Sequence, residues 1–184
     1  MFVRTDRLLL RPGWIEDAPA LARAVASDPA IARNTVRIPS PYTIEDAQAF
    51  LGLEKEPHAP SCLIFARTSG ALRLVGSVGI HPYEDGMEIG YWIARPYWGL
   101  GFATEAGSAL LRAARGSLKL DRIHSGHFLD NPASGRVLRK LGFRPTGRVV
   151  KRYSVARGGD VDCLIYTDAA EAPCEEPMRC LAAA

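Results

Sequence analysis

Chemistry is first suggested by Arg95 to Glu105, read as RPYWGLGFATE. An apolar run, Met87 to Ala94, precedes it, and a helical pattern follows to about Arg115. The stretch therefore reads as a strand, a tight turn at Gly99 and Gly101, and a helix. The first turn of a helix leaves N–H groups without intrahelical partners, and the helix dipole adds partial positive charge there. Glycine lets an anion approach the chain with no Cβ in the way. Together these predict an anion site, filled by the phosphates of a cofactor. Gly-x-Gly ahead of a helix is also common as a plain turn. Two named phosphate motifs fit poorly. A P-loop needs Gly-Lys-Ser/Thr, and no Lys follows Gly101. A dinucleotide fingerprint needs a third Gly where Thr104 stands and an acidic residue closing the next strand, whereas Asp121 stands at the start of its strand.

The elements that must position this turn follow from periodicity. Arg7 to Arg11 is a short strand stopped by Pro12, and Ala18, Leu21, Ala22 and Val25 recur at helical spacing. Asp28-Pro29 ends or restarts that helix, and residues 34–42 form a loop. Thr43 is an N-cap for a helix burying Ala47, Phe50 and Leu51. Strands are predicted at Cys62 to Arg67, Leu72 to Ile80 and 87–94, with a turn at Thr68-Ser69-Gly70 and a hairpin signal at Asp85-Gly86. These three form an antiparallel meander. The helix at about 102–116 buries Ala106, Ala109, Leu110 and Ala113. A strand at 121–128 pairs parallel to 87–94 through a right-handed crossover. Asn131-Pro132 starts a helix with Val137, Leu138 and Leu141 on its apolar face, and Gly142 stops it. Two more strands, 143–153 and 160–167, flank Arg157-Gly158-Gly159. The fold class is α+β: a single mixed, mostly antiparallel sheet with one βαβ unit and helices on both faces. A parallel pair inside such a sheet can splay at one end, exposing backbone beside the glycine turn.

Composition bounds the rest. A chain of 184 residues predicts one domain, residues 1–168, with a flexible tail at 169–184. The net charge of +3 is mild, and no Lys/Arg block of the kind a nucleic-acid arm shows is present. No apolar stretch is long enough to span a bilayer, and the N-terminus lacks a secretory signal, so no nucleic acid and no membrane are expected. Cys62, Cys163, Cys174 and Cys180 show no CxxC spacing, which predicts reduced thiols in a cytoplasmic protein.

Four stretches, in order, resemble the GNAT superfamily of acetyl-CoA-dependent N-acyltransferases, and in particular its ribosomal-protein N-terminal acetyltransferase branch. They are TDRLLLRP, EIGYWI with YWGLGFATEA, DNPAS, and RKLGF, together spanning about residues 5–167. The resemblance implies the GNAT-like acyl-CoA N-acyltransferase fold, acetyl-CoA as cosubstrate, and a primary amine as acceptor: a protein N-terminal amine or a small amine or amino sugar. Transfer is by direct attack in a ternary complex, in a monomer or homodimer. It places the coenzyme A pyrophosphate on the turn, Gly99, Leu100, Gly101, Phe102, Ala103 and Thr104, and the pantetheine along the backbone of Trp92, Ile93 and Ala94. It adds a pantetheine hydrogen bond from Asn131, which is also an N-cap. Arg139, with Arg136 and Lys140, meets the 3′-phosphate or forms a solvated basic face. Where the family turn begins with Gln or Arg, this chain has Trp98.

Such chemistry needs a group to take the amine proton, a donor for the oxyanion, and a donor for the departing thiolate. Glu88, at the start of the central strand, is the leading base, directly or through water. His81, closing the neighbouring strand, is the alternative. His124 and His127 face opposite ways on 121–128. The oxyanion donor is a backbone N–H of strand 87–94. Ser134 is placed to reach the thiol sulfur. Many family members carry a Tyr acid four residues before the Gly-Phe pair, where this chain has Leu138, so the acid passes to Ser134, water or another side chain. Two further classes stay open: a coenzyme A-binding or interaction module without turnover, and a dinucleotide enzyme, which Thr104 disfavours.

Overall fold

The computed structural model describes residues 1–54, 56, 58–68, 70–84, 86–120 and 122–168. Strands β1 (Val3–Arg4) and β2 (Leu8–Arg11) lead to a helical segment split in two, α1 (Ala18–Ala26) and α2 (Pro29–Arg33). Asp28 makes the split. Its backbone is extended, and its carboxylate accepts from the Ala30 N–H with Pro29 in the first helical position. Helix α3 (Ile44–Gly52) starts at Thr43 in a full capping box: the Thr43 hydroxyl accepts from the Asp46 N–H, and the Asp46 carboxylate accepts from the Thr43 N–H. It buries Ala47 and Leu51. Phe50, expected beside them, is exposed because it borders an open cleft.

Strands β3 (Ser61–Ala66), β4 (Arg73–Tyr83) and β5 (Gly86–Ile93) form the expected antiparallel meander. Ser69 and Asp85, read as turn residues, lie outside the described residues, as do Asp121 and the expected tail at 169–184. Helix α4 (Phe102–Leu118) buries Ala106, Ala109 and Leu110 as expected. The next residue on that stripe is Ala114, one turn beyond Leu110, rather than the half-buried Ala113. After β6 (Ile123–Phe128), α5 (Pro132–Lys140) buries Gly135 and Leu138, with Val137 and Leu141 only half-buried. A Schellman motif ends α5: the Gly142 N–H donates to the Arg139 carbonyl, and the Phe143 N–H to that of Leu138, with φ +92° at Gly142. The hairpin β7 (Arg144–Ser154) and β8 (Gly159–Thr167) completes the fold.

The eight strands form one sheet, ordered β1-β2-β3-β4-β5-β6-β8-β7. Alternation divides its two faces. Leu8, Leu10, Ile64, Ile89 and Ile93 pack with α4 and with Leu138 and Phe143, while Leu63 and Phe65 pack with Leu21, Val25, Ala47 and Leu51 from α1 and α3. Every neighbouring pair is antiparallel except β5 and β6. That pair is parallel, and it holds at only two positions, Met87 with Ile123 and Glu88 with His124. Beyond them the strands diverge. No helix of the described residues is long and apolar enough to cross a membrane.

Candidate active site

The divergence of β5 and β6 opens a notch in the middle of the sheet, continuous with a cleft of about 1520 Å³. The glycine turn stands at one end of it, where Gly99, Gly101, Phe102, Ala103 and Thr104 contribute to the wall. Gly99 and Gly101 have φ of +78° and +80°, a conformation that L side chains rarely adopt. A Cβ at Gly99 would meet nothing within 4 Å, so the turn presents open backbone. The first turn of α4 contains one acidic residue, Glu105, but Arg7 holds it. Arg7 Nε donates to Glu105 Oε2 at 2.7 Å, and its Nη1 donates to the Leu100 carbonyl at 3.0 Å. Thus Arg7, just ahead of β2, ties down the turn and pairs with the carboxylate beside it. Leu100 itself turns its side chain to solvent, half exposed.

Trp98, which departs from the family pattern, is a prop. Its indole N–H donates to the Ile93 carbonyl, and Arg95 stacks on its ring at 4.5 Å. The turn is thereby fixed to the end of β5.

The backbone of β5 corrects one expectation. The Ala94 N–H donates to the Val75 carbonyl, on the β4 side. Bonded residues alternate along an antiparallel pair, so Trp92 and Ala94 turn their backbone groups toward β4. Ile89, Tyr91 and Ile93 turn theirs toward β6. Past the last β5–β6 pair, the N–H groups facing the notch are therefore those of Tyr91 and Ile93. Of the three residues expected along the pantetheine, Ile93 turns its N–H to the notch, and Trp92 and Ala94 turn theirs to β4. Trp92 instead offers its side chain to the cleft.

The faces of β5 also sort the catalytic candidates. Glu88 projects toward the α1–α3 side with His81, its cross-strand partner on β4. The Glu88 side chain is 8% exposed; its Oε2 lies 3.2 Å from His81 Nε2, and Arg152 Nη1 donates to its Oε1 at 2.7 Å. Burial pushes the Glu88 carboxyl up, but the His81 hydrogen bond and the Arg152 charge outweigh it and hold the group below its ordinary range. An ionised carboxylate only accepts. In the neutral ring, His81 Nε2 therefore carries the proton and Nδ1 is left bare as a base. The sequence offers Glu88 and His81 as alternative bases on neighbouring strands and does not single out Arg152, which sits 64 residues away on β7. A cation on a strand pattern was the only signal it gave.

On the opposite face, Tyr91 reaches α5. Its hydroxyl lies 2.9 Å from Ser134 Oγ and 3.1 Å from the Ser134 carbonyl. Asn131 is the α5 N-cap, its side chain accepting from the Ser134 N–H at 3.4 Å, and both residues line the cleft. Leu138, at the position where many family members carry a Tyr acid, is fully buried core. Arg136 and Lys140 line the cleft. Arg139, the expected phosphate ligand, lies over the Tyr166 ring at 6.0 Å and does not line the cleft. His127 also reaches the cleft, while His124 packs edge-on against Tyr83. Cys163 lines the cleft too, but burial pushes its thiol up to about 11, which disqualifies it as a nucleophile.

Known proteins resemble the chain over most of its length. The acetyltransferase (GNAT) domain family matches residues 7–144. An uncharacterised N-acetyltransferase of Bacillus subtilis (strain 168), YoaA, is 31% identical over 172 residues, covering 90% of this chain and 94% of its own. The crystal structure of a GNAT-family acetyltransferase from Bacillus anthracis superposes with a TM-score of 0.74 at 28% identity, covering 91% of this chain and 97% of that one. RimL, a ribosomal-protein alpha-N-acetyltransferase solved with coenzyme A, superposes with a TM-score of 0.77 at 21% identity over 91% and 97% of the two chains, a likeness of fold.

Proposed function

This chain belongs to the GNAT acetyltransferase family and is an acetyl-CoA-dependent N-acetyltransferase, and from that premise we propose how its residues divide the work. The notch between β5 and β6 is the observation that carries the reading. It sets unpaired strand backbone, an open glycine turn and a His–Glu pair around one cleft. Acetyl-CoA suits these residues: its diphosphate fits a helix N-terminus opened by two glycines, and its amide-bearing arm fits the free edge of β5. Bound there, it supplies an activated acyl group as a thioester.

The amides of residues 100–104 and the α4 dipole hold the diphosphate. Arg136 and Lys140 take the 3′-phosphate. The N–H of Tyr91 or Ile93 is the oxyanion donor; losing one such donor typically costs about 100- to 1000-fold in rate. His81 Nδ1 accepts the amine proton, directly or through water. Glu88 fixes the ring's tautomer and supports its positive charge, and Arg152 fixes Glu88. Attack is direct, in a ternary complex, because holding both reactants in line removes much of the barrier without a covalent enzyme intermediate.

The acceptor is a primary amine entering from the α1–α3 side. Val36, Ile38, Tyr42 and Phe50 make that wall apolar, which favours an amine on an apolar body, such as a peptide N-terminus, over an amino sugar. The test is thiol release from acetyl-CoA with a panel of peptides, small amines and amino sugars. Turnover with at least one amine class supports the reading. Tight coenzyme A binding with no turnover across the panel would make the chain a binding module instead.

A further inference from the structure

We propose that Tyr91 is a positioning residue: it keeps the Ser134 hydroxyl proton free to be offered, as a hydrogen bond, to the sulfur released at the notch. The inference rests on the function proposed above. The phenol has one proton and two acceptors in reach, Ser134 Oγ at 2.9 Å and the Ser134 carbonyl at 3.1 Å. If it donates to the carbonyl, the Ser134 hydroxyl donates back to the phenol oxygen, and the serine proton is occupied. If it donates to Oγ, the serine proton turns outward. A negative charge in the notch selects the second arrangement, because a hydrogen bond to an ionised acceptor is roughly twice as strong as a neutral one.

The exchange needs two hydroxyl rotations and no heavy-atom movement. No proton changes atoms. Burial pushes the Tyr91 phenol up to about 12, so it keeps its proton throughout. The sulfur leaves as a thiolate, holding the electron pair of the broken C–S bond, and the amine proton goes to His81. Ser134 is held for this task from two sides. Asn131 caps its helix. Gly135 lets α5 settle onto β6, since a Cβ there would stand 2.6 Å from His127 Nε2. Leu138 takes no part, being sealed in the core.

The decisive measurement is a titration of the thiol of bound coenzyme A, followed by its ultraviolet thiolate absorbance. The thiolate form should be favoured about 10-fold more in the wild type than in Tyr91→Phe. Ser134→Ala should lose at least as much, and the double variant no more than Ser134→Ala alone. With a working amine, kcat should fall in the same pattern while KM for acetyl-CoA holds. A Tyr91→Phe protein that titrates like the wild type overturns the inference, and so does a Tyr91→Phe loss that persists undiminished beside Ser134→Ala. If Tyr91→Phe fails to fold, a ring-fluorinated tyrosine at position 91, a stronger donor of the same shape, must increase the preference; no change overturns the inference. Failure to bind coenzyme A at all would undo the proposed function itself, a result plainly separate from a normal titration.

Discussion

Glu88 has two partners, and each implies a different loss. Replacing His81 with Asn should lower kcat/KM by about 100-fold or more, with acetyl-CoA affinity unchanged, because the ring moves a proton and holds no phosphate. Steady-state kinetics beside a binding titration separates the two quantities. Arg152→Leu should instead be felt in the fold. The ion pair is buried, with side chains 16% and 8% exposed, and removing one partner of such a pair costs about 3–5 kcal/mol by leaving the other charge uncompensated. Urea unfolding would read this; a midpoint equal to wild type would mean that Glu88 finds another counterion. At this scale the sequence shows residue types and hides partners. Glu88 and His81 sit seven positions apart across one hairpin and are legible as neighbours. Arg152 and Tyr91 acquire their roles only from long-range contacts, of β7 with β5 and of β5 with α5, which no local pattern encodes.

Elements behave differently, because their ends are written locally. Thr43→Ala should cost about 1 kcal/mol by removing the capping box of α3, with no change in coenzyme A binding, since that helix lines only the acceptor side. Gly101→Ala should cost a similar amount, about 1–2 kcal/mol, for a side chain at φ +80°. Unlike the α3 change, it should also raise KM for acetyl-CoA, because the turn that reshapes is the anion site. Equal KM values for the two variants would remove the glycine turn from the binding account. Caps, the Asp28 break, the meander and the βαβ unit were all readable from spacing. The misplacements have a common cause. Phe50 and Ala113 each lie one position from a buried residue, Leu51 and Ala114, and a helical wheel cannot say whether a stripe's margin meets core or cleft. The direction of the Trp92 and Ala94 amides is hidden for a kindred reason: strand periodicity gives side-chain faces, but which edge a backbone N–H addresses depends on the partner strand.

For the molecule as a whole, its carboxylates set a pH limit. Glu88 and Glu105 are held low against their burial penalties, by His81 and Arg152 in one case and by Thr5 and Arg7 in the other, and Asp130 is held low by Arg157. Groups with depressed folded values contribute stability that is complete above their unfolded values, about 4 for carboxylates, and drains away as pH falls toward the folded ones. The melting temperature should therefore be flat at neutral pH and drop below about pH 4; a profile level down to the folded values would contradict these ion pairs. One last consequence follows from the parting of β5 and β6. The amides of Tyr91 and Ile93 belong to a central strand yet have no ladder to protect them. In deuterated water they should label as quickly as loop amides while their neighbours at Trp92 and Ala94 stay slow. The stutter of alternate residues should vanish when the cosubstrate docks, recording occupancy of the enzyme one amide at a time.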